Sequence, residues 1–220
     1  MKPLIDTIVI SIFTLSLFLI ISCDKQEHTI EQQKNQHHQK QFPPSNLLHQ
    51  QNCDRTSGMP KKLRMENYRA PTPSCVPQGI TIETTELESL IKQQPKPILI
   101  DVLSVITRPN AEFGEGQWIP NKERMSLPGS VWLPNVGYGY LDEEMKNYFK
   151  TQLHSLTQGD KKTPVVFFCI ADCWMSWNAV QRASEYGYTN TYWYKNGTDG
   201  WAEAGLKMQE IDPVPLVESQ

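Results

Sequence analysis

Four consecutive apolar residues, Val165-Val166-Phe167-Phe168, lead shortly into a helix-patterned stretch from Ser176 to Tyr186. A strand without polar alternation is buried on both faces, and that is the mark of a parallel sheet covered by helices. The pattern recurs along the chain. Ile98-Leu99-Ile100-Asp101-Val102 is another bare apolar run, and it follows a predicted helix from Thr84 to Gln93 that Thr84 or Thr85 can cap. Val131-Trp132-Leu133 stands behind a Pro128-Gly129 turn, and Thr191-Tyr192-Trp193-Tyr194 reads as a last strand. Between them, Asp142 to Leu156 fits a helix capped by Asp142, with Met145, Tyr148, Phe149 and Leu153 on one face. Alternating strands and helices mean an α/β layer built on a parallel sheet.

The chain has 220 residues, 20% of them charged, and a formal net charge of -3. That length allows one packed domain with appendages, and the near-neutral balance argues against nucleic acid as a partner. The appendages lie first. Lys2 precedes an apolar run from Ile8 to Ile21 that ends in Ser22-Cys23. The run is short of the ~20 residues a membrane-spanning helix needs and reads as an export signal over residues 1–22. Ile20-Ile21-Ser22-Cys23 resembles a bacterial lipobox, which implies that Cys23 carries a lipid at the start of the mature chain. The expected location is therefore the periplasmic face of a membrane. Asp24 resembles an inner-membrane retention signal, and the choice between inner and outer membrane stays open.

Residues 23–51 hold eight glutamines and four histidines, His28, His37, His38 and His49, with too few apolar side chains to build a core. They are expected to form a disordered tether, and without organising carboxylates or cysteines their histidines are not read as a metal site. Residues 52–77 are Pro-rich and aperiodic, a wrapping segment with few ladders of its own. Setting Cys23 aside leaves Cys53, Cys75, Cys169 and Cys173. Export places these thiols in an oxidising compartment, and the closeness of Cys169 to Cys173 favours two local pairs over the two other pairings. Cys53–Cys75 is then structural.

Ligands of parallel α/β sheets bind outside the carboxyl ends of the strands, and there this chain reads Cys169-Ile170-Ala171-Asp172-Cys173-Trp174-Met175-Ser176-Trp177-Asn178. A thiol before a helix start meets free backbone N–H groups and the positive end of the helix dipole, which favour thiolate. Asp172 opposes them. Residues four apart in a helical turn have Cα atoms about 6 Å apart, at the long end of disulfide range, so the pair can close. The aromatics Trp174, Trp177, Trp193, Tyr194 and Trp201 gather at the same end of the sheet, mostly as packing, with an exposed subset available for docking. His154 is expected on the surface.

Leu99-Ile100-Asp101-Val102, Leu127-Pro128-Gly129-Ser130-Val131, the strand ending at Cys169, and Gly187-Tyr188 through Gly197 to Gly200-Trp201 with Ala204-Gly205-Leu206 together resemble the rhodanese homology domain. The resemblance spans about residues 78–210 and implies a three-layer α/β domain over 78–212, followed by a tail at 213–220. It places Cys169 at the persulfide-forming position and Asp101 as a residue that orients loops; Asp172, Trp174 and Ser176 support the cysteine pair. More narrowly, Cys169-Ile-Ala-Asp-Cys173-Trp, with Trp132-Leu-Pro-Asn-Val-Gly upstream and Gly197-Thr-Asp-Gly-Trp201 downstream, resembles the pyrroloquinoline quinone (PQQ)-dependent catabolism-associated CXXCW motif proteins. That implies a role beside a periplasmic PQQ-dependent alcohol dehydrogenase or its transport components. PQQ enters only through those partners, and no cofactor or metal is predicted in the chain itself.

The loop departs from the family pattern. Met175 stands where sulfurtransferases of this fold often carry an arginine, the loop is one residue longer, and three residues separate the cysteines. Arg182 is expected on the outer surface of its helix. A dianion such as thiosulfate lacks its charge-assisted partner here. Several readings remain: a redox or sulfur-relay dithiol, a binding accessory whose disulfides are both structural, a metal–thiolate site completed by a partner, and a thiosulfate sulfurtransferase.

Overall fold

The computed structural model describes Cys53 and residues 59–105, 118–120 and 122–216. The export signal, Cys23 and the tether lie outside the described residues. The described elements are β1 (Ile80–Ile82), α1 (Thr84–Leu90), β2 (Ile98–Asp101), β3 (Arg124–Ser126), β4 (Val131–Trp132), α2 (Glu143–Thr157), β5 (Val165–Phe168), α3 (Trp174–Glu185), β6 (Thr191–Tyr194), α4 (Gly197–Glu203) and β7 (Gln209–Ile211). Five of the strands form one parallel sheet in the order β1-β6-β5-β2-β4. β5 is its middle strand, which is why Val165 to Phe168 carry no polar residue and are all buried.

Alternate residues of β5 serve two separate cores. Val165 and Phe167 join Met145, Phe149, Leu153, Trp177 and Val180 on the side of α2 and α3. Val166 and Phe168 join Leu87, Leu90, Tyr192 and Trp201 on the side of α1 and α4. The period-2 geometry of a strand thus produces helix, sheet and helix layers. Each fully buried large side chain contributes about 1.5–3 kcal/mol.

The helix boundaries follow their caps. The Asp142 side chain accepts a hydrogen bond from Met145 N at 2.9 Å, and the four apolar residues expected on one face of α2 are all buried. In α1 the cap is Glu83. Its carboxylate receives the N3 backbone while Glu86 Oε2 accepts from Glu83 N at 2.9 Å. This reciprocal box displaces the expected threonine cap, and the Thr84 hydroxyl pairs with the Tyr194 hydroxyl at 2.8 Å instead. The helix also stops at Leu90, before the predicted Gln93. α3 starts two residues earlier than expected because Trp174 N donates to Tyr68 O at 2.9 Å, which satisfies a donor that would otherwise be orphaned at the first turn.

Three strands were not legible as such: β1 and the antiparallel pair β3–β7, each three residues long. Beyond β7, Pro213 bridges to Trp132, and Val214 O accepts from the Trp118 indole and the Tyr148 hydroxyl, both at 2.8 Å. Residues 213–216 of the expected tail are therefore tied to the domain.

Candidate functional site

Cys169 follows β5 directly and Cys173 is the N-cap of α3. The two are joined by a disulfide with Cα atoms 6.2 Å apart. Cys53 and Cys75 form a second, with Cα atoms 5.8 Å apart and a sequence separation of 22. Asp172 completes the short loop with φ +50°, a left-handed conformation that aspartate tolerates better than most residues.

Both ends of the pair are held through their carbonyls. Cys169 O accepts from Thr198 N at 2.9 Å, at the start of α4. That approach depends on Gly197, with φ +57°: a Cβ there would stand 2.7 Å from Cys169 O. Cys173 O accepts from the Ser176 hydroxyl at 3.0 Å, and Ser176 Oγ in turn accepts from the Trp193 indole at 3.0 Å. Ala171 N donates to Asp199 Oδ2 at 3.0 Å.

Below the loop lies a buried polar group that the sequence reading found only in part. Asp101, fully buried, accepts from Arg124 Nε at 2.8 Å, Ser126 Oγ at 2.7 Å and Leu103 N at 3.0 Å. Burial pushes its carboxyl up, against the opposing pull of the Arg124 guanidinium and the Leu103 and Ser126 donors. Arg124 Nη2 also reaches Cys169 O and Thr198 Oγ1, both at 3.4 Å. Asp101 therefore orients the loop through Arg124. Arg124 sits in the charged run Lys122-Glu123-Arg124, which reads as surface; only the short strand that turns its side chain inward makes it part of this site.

A strap crosses above the loop, formed by residues 64–76 of the wrapping segment. Arg69 makes an isolated antiparallel bridge with Cys173, and its Nη1 donates to Ala171 O at 2.8 Å. Thr72 N donates to Asp172 Oδ1 at 3.2 Å. Arg64 exchanges two hydrogen bonds with the Asn178 side chain, both 2.8 Å, and its guanidinium lies 5.0 Å over the Trp174 ring. Tyr68 packs edge-on against Tyr138 with ring centroids 5.1 Å apart, and its hydroxyl accepts from Gly139 N at 3.0 Å. None of these strap contacts had a periodic signal in the sequence.

Burial around the site corrects two expectations. The disulfide is buried: Cys169 is 0% and Cys173 3% accessible. The five aromatics near the site are all buried too, so they supply no exposed docking subset. Arg182 does not face outward; it is buried and donates to the carbonyls of Val136, Tyr138 and Gly139 at 2.8–2.9 Å, because a guanidinium fork suits a turn presenting several free carbonyls. Burial lowers its pKa from the usual guanidinium value. His154 is exposed as expected. Met175, where an arginine was missing, is buried. Among the described residues no group of three or more His, Cys, Asp or Glu side chains is placed to hold a metal ion.

The rhodanese-like domain matches residues 83–204, from the N-cap of α1 to the C-cap of α4, which is more than half of the chain. The chain belongs to the rhodanese-like domain family. No curated protein matches it. Among solved structures it is similar to the thiosulfate sulfurtransferase from Pseudomonas aeruginosa, at 19% identity over 61% of this chain and 21% of that one, with a TM-score of 0.41. It is also similar to the polysulfide-sulfur transferase homodimer from Wolinella succinogenes, at 16% identity over 60% and 79% of the two chains, with a TM-score of 0.37. A human single-domain sulfurtransferase matches at 21% identity over 56% and 95%, with a TM-score of 0.34. The chain spans about a fifth of the length of the Pseudomonas chain.

Proposed function

We propose that this protein is an exported, lipid-anchored thiol relay in which Cys169 and Cys173 cycle between disulfide and dithiol, in support of PQQ-dependent alcohol oxidation. The observation that carries the relay is the position of the bonded pair at the carboxyl end of the middle strand, where α3 begins. The lipobox-like residues ending at Cys23 support the anchor, and the sequence resemblance around Cys169 to Trp174 supports the PQQ context.

As a redox couple the site works by exchange. A thiolate of a partner dithiol attacks one of the two sulfurs, forming a mixed disulfide and releasing the other as thiolate. The partner's second thiolate then attacks its own bridging sulfur. The net result moves two electrons and two protons to Cys169 and Cys173 and leaves the partner as a disulfide. As a sulfur relay the reduced form does the reverse: the Cys169 thiolate takes the outer sulfur of a persulfide donor, whose own sulfur leaves as a thiolate. Cys173 then attacks Cys169 Sγ and expels hydrosulfide, so the transferred sulfur is reduced as the dithiol is oxidised. The positive end of the α3 dipole favours the thiolate that both routes need, and the Asp172 carboxylate opposes it. Thr198 N, Arg124 and Ser176 hold the two cysteine carbonyls and keep the loop in register through the cycle.

The near-complete burial of the pair favours a second reading, a binding accessory in which both disulfides are permanent. Thiosulfate sulfurtransfer is the least favoured route, because Met175 supplies no cation and the first N–H of α3 is already taken by Tyr68 O. Cells carrying Cys169→Ala/Cys173→Ala separate the first two readings. The relay predicts lost growth on alcohols with the protein still folded and on the membrane; full growth leaves the accessory.

A further inference from the structure

The almost inaccessible Cys169–Cys173 disulfide lies under a layer of chain without regular secondary structure. Residues 64–72 of the strap belong to no strand or helix, and Arg69 and Asp172, which tie it to the loop, are both exposed. One end is fixed firmly: Cys75 is bonded to Cys53, its carbonyl accepts from the Trp177 indole at 3.1 Å, and Val76 N donates to Thr81 Oγ1 at 3.0 Å. The other stretch is held by half-buried hydrogen bonds at Arg64 and Tyr68 and, around Arg69 and Thr72, by solvent-facing ones, of the kind that open locally at low cost while the sheet stays intact. Resting on the relay reading above, we infer that the strap decides which reductants reach Cys169–Cys173, with Tyr68 and Arg69 as its specificity-determining residues.

Access to the disulfide governs its exchange. Exchange needs the attacking sulfur in line with the disulfide, and a protein dithiol brings a broad surface with it. The Arg69 backbone covers Cys173, and the Tyr68 carbonyl occupies the first N–H of α3, so a protein partner must displace both. A small dithiol needs only a brief parting of the same segment. When opening and closing are fast relative to attack, the observed rate is the open population multiplied by the intrinsic rate, so strap contacts act directly on the rate. Lifting residues 64–72 also frees the Arg69 guanidinium and the N-terminus of α3 on the side from which a thiolate approaches.

The test uses the oxidised full-length protein. The reduction rate of Cys169–Cys173 is measured by timed alkylation and mass spectrometry, once with dithiothreitol and once with a thioredoxin-type protein, each converted to its own disulfide. The variants are Arg69→Ala, which removes only an exposed side-chain bond, and Tyr68→Ala/Arg69→Ala, which also removes the Tyr138 and Gly139 contacts. Near-ultraviolet circular dichroism reports whether the fold is kept. The inference expects the double variant to be reduced by the protein dithiol about tenfold faster than the wild type, with a smaller gain for dithiothreitol and Arg69→Ala in between. Native-state reduction of all three proteins at one rate overturns the gate and leaves the relay standing. Resistance of all three until denaturant unfolds them overturns the relay and the gate together.

Discussion

The two disulfides are chemically alike and sit in different surroundings. Cys53–Cys75 spans 22 positions of chain whose described part, residues 59–75, has almost no ladders of its own, and Cys169–Cys173 spans four positions between a strand and a helix that are already ordered. Loop-closure entropy assigns about 3 kcal/mol to the first and about 2 kcal/mol to the second. The long loop therefore depends on its bond. The short one is held by its surroundings, through Thr198 N and Arg124 on Cys169 O and Ser176 on Cys173 O, so its bond is free to break without the site dissolving.

The largest effect expected from this contrast belongs to no cysteine. Arg124→Met leaves the Asp101 carboxylate buried without its cation and should cost about 3–5 kcal/mol in denaturant unfolding at neutral pH, more than loss of either disulfide. The deficit should shrink toward acidic pH, since burial already pushes the Asp101 carboxyl up and a protonated Asp101 no longer leaves a charge unpaired. A cost below that of Cys53→Ala/Cys75→Ala would mean that the network does not hold the loop.

Cys53→Ala/Cys75→Ala comes next, at about 3 kcal/mol, and it should also speed hydrogen exchange at residues 64–76. Cys169→Ala/Cys173→Ala should cost about 2 kcal/mol or less and leave exchange in β5 and α3 unchanged. Equal costs for the two double variants would break the comparison. Ser176→Ala has the smallest expected effect, about 1 kcal/mol, because it strands the Trp193 donor and frees Cys173 O; calorimetry can read it.

What was legible in the sequence follows the same division. β5, β6 and α2 declared themselves because their side chains are buried with a fixed period: four apolar residues in a row for the middle strand, and Met145, Tyr148, Phe149 and Leu153 behind an Asp142 cap for the helix. The cysteine pair was legible from its place after β5. The strap was not, because Tyr68 O and the Arg69–Cys173 bridge act through backbone, and the partners of the strap lie about a hundred residues away, as in the bond from Arg69 Nη1 to Ala171 O with a separation of 102. Arg124 and Arg182 were misread or overlooked for a related reason. A charged side chain on an amphipathic or charged stretch reads as solvent-facing, and only the third dimension shows the carboxylate or turn carbonyls that receive it. The burial of the two cysteines was hidden with the strap that causes it.

The central claim is that Cys169–Cys173 is a working couple and Cys53–Cys75 a staple. Its most direct test is the redox state of each pair in the folded protein across a graded series of glutathione buffers, with thiols alkylated and mapped by mass spectrometry. A helix start that favours thiolate makes reduction easier at Cys169 and Cys173, and about 30 mV separates the pairs for each tenfold difference in equilibrium constant. The account predicts that Cys169–Cys173 opens in milder buffers while Cys53–Cys75 stays closed. Reduction of both pairs together, or of Cys53–Cys75 first, would contradict it.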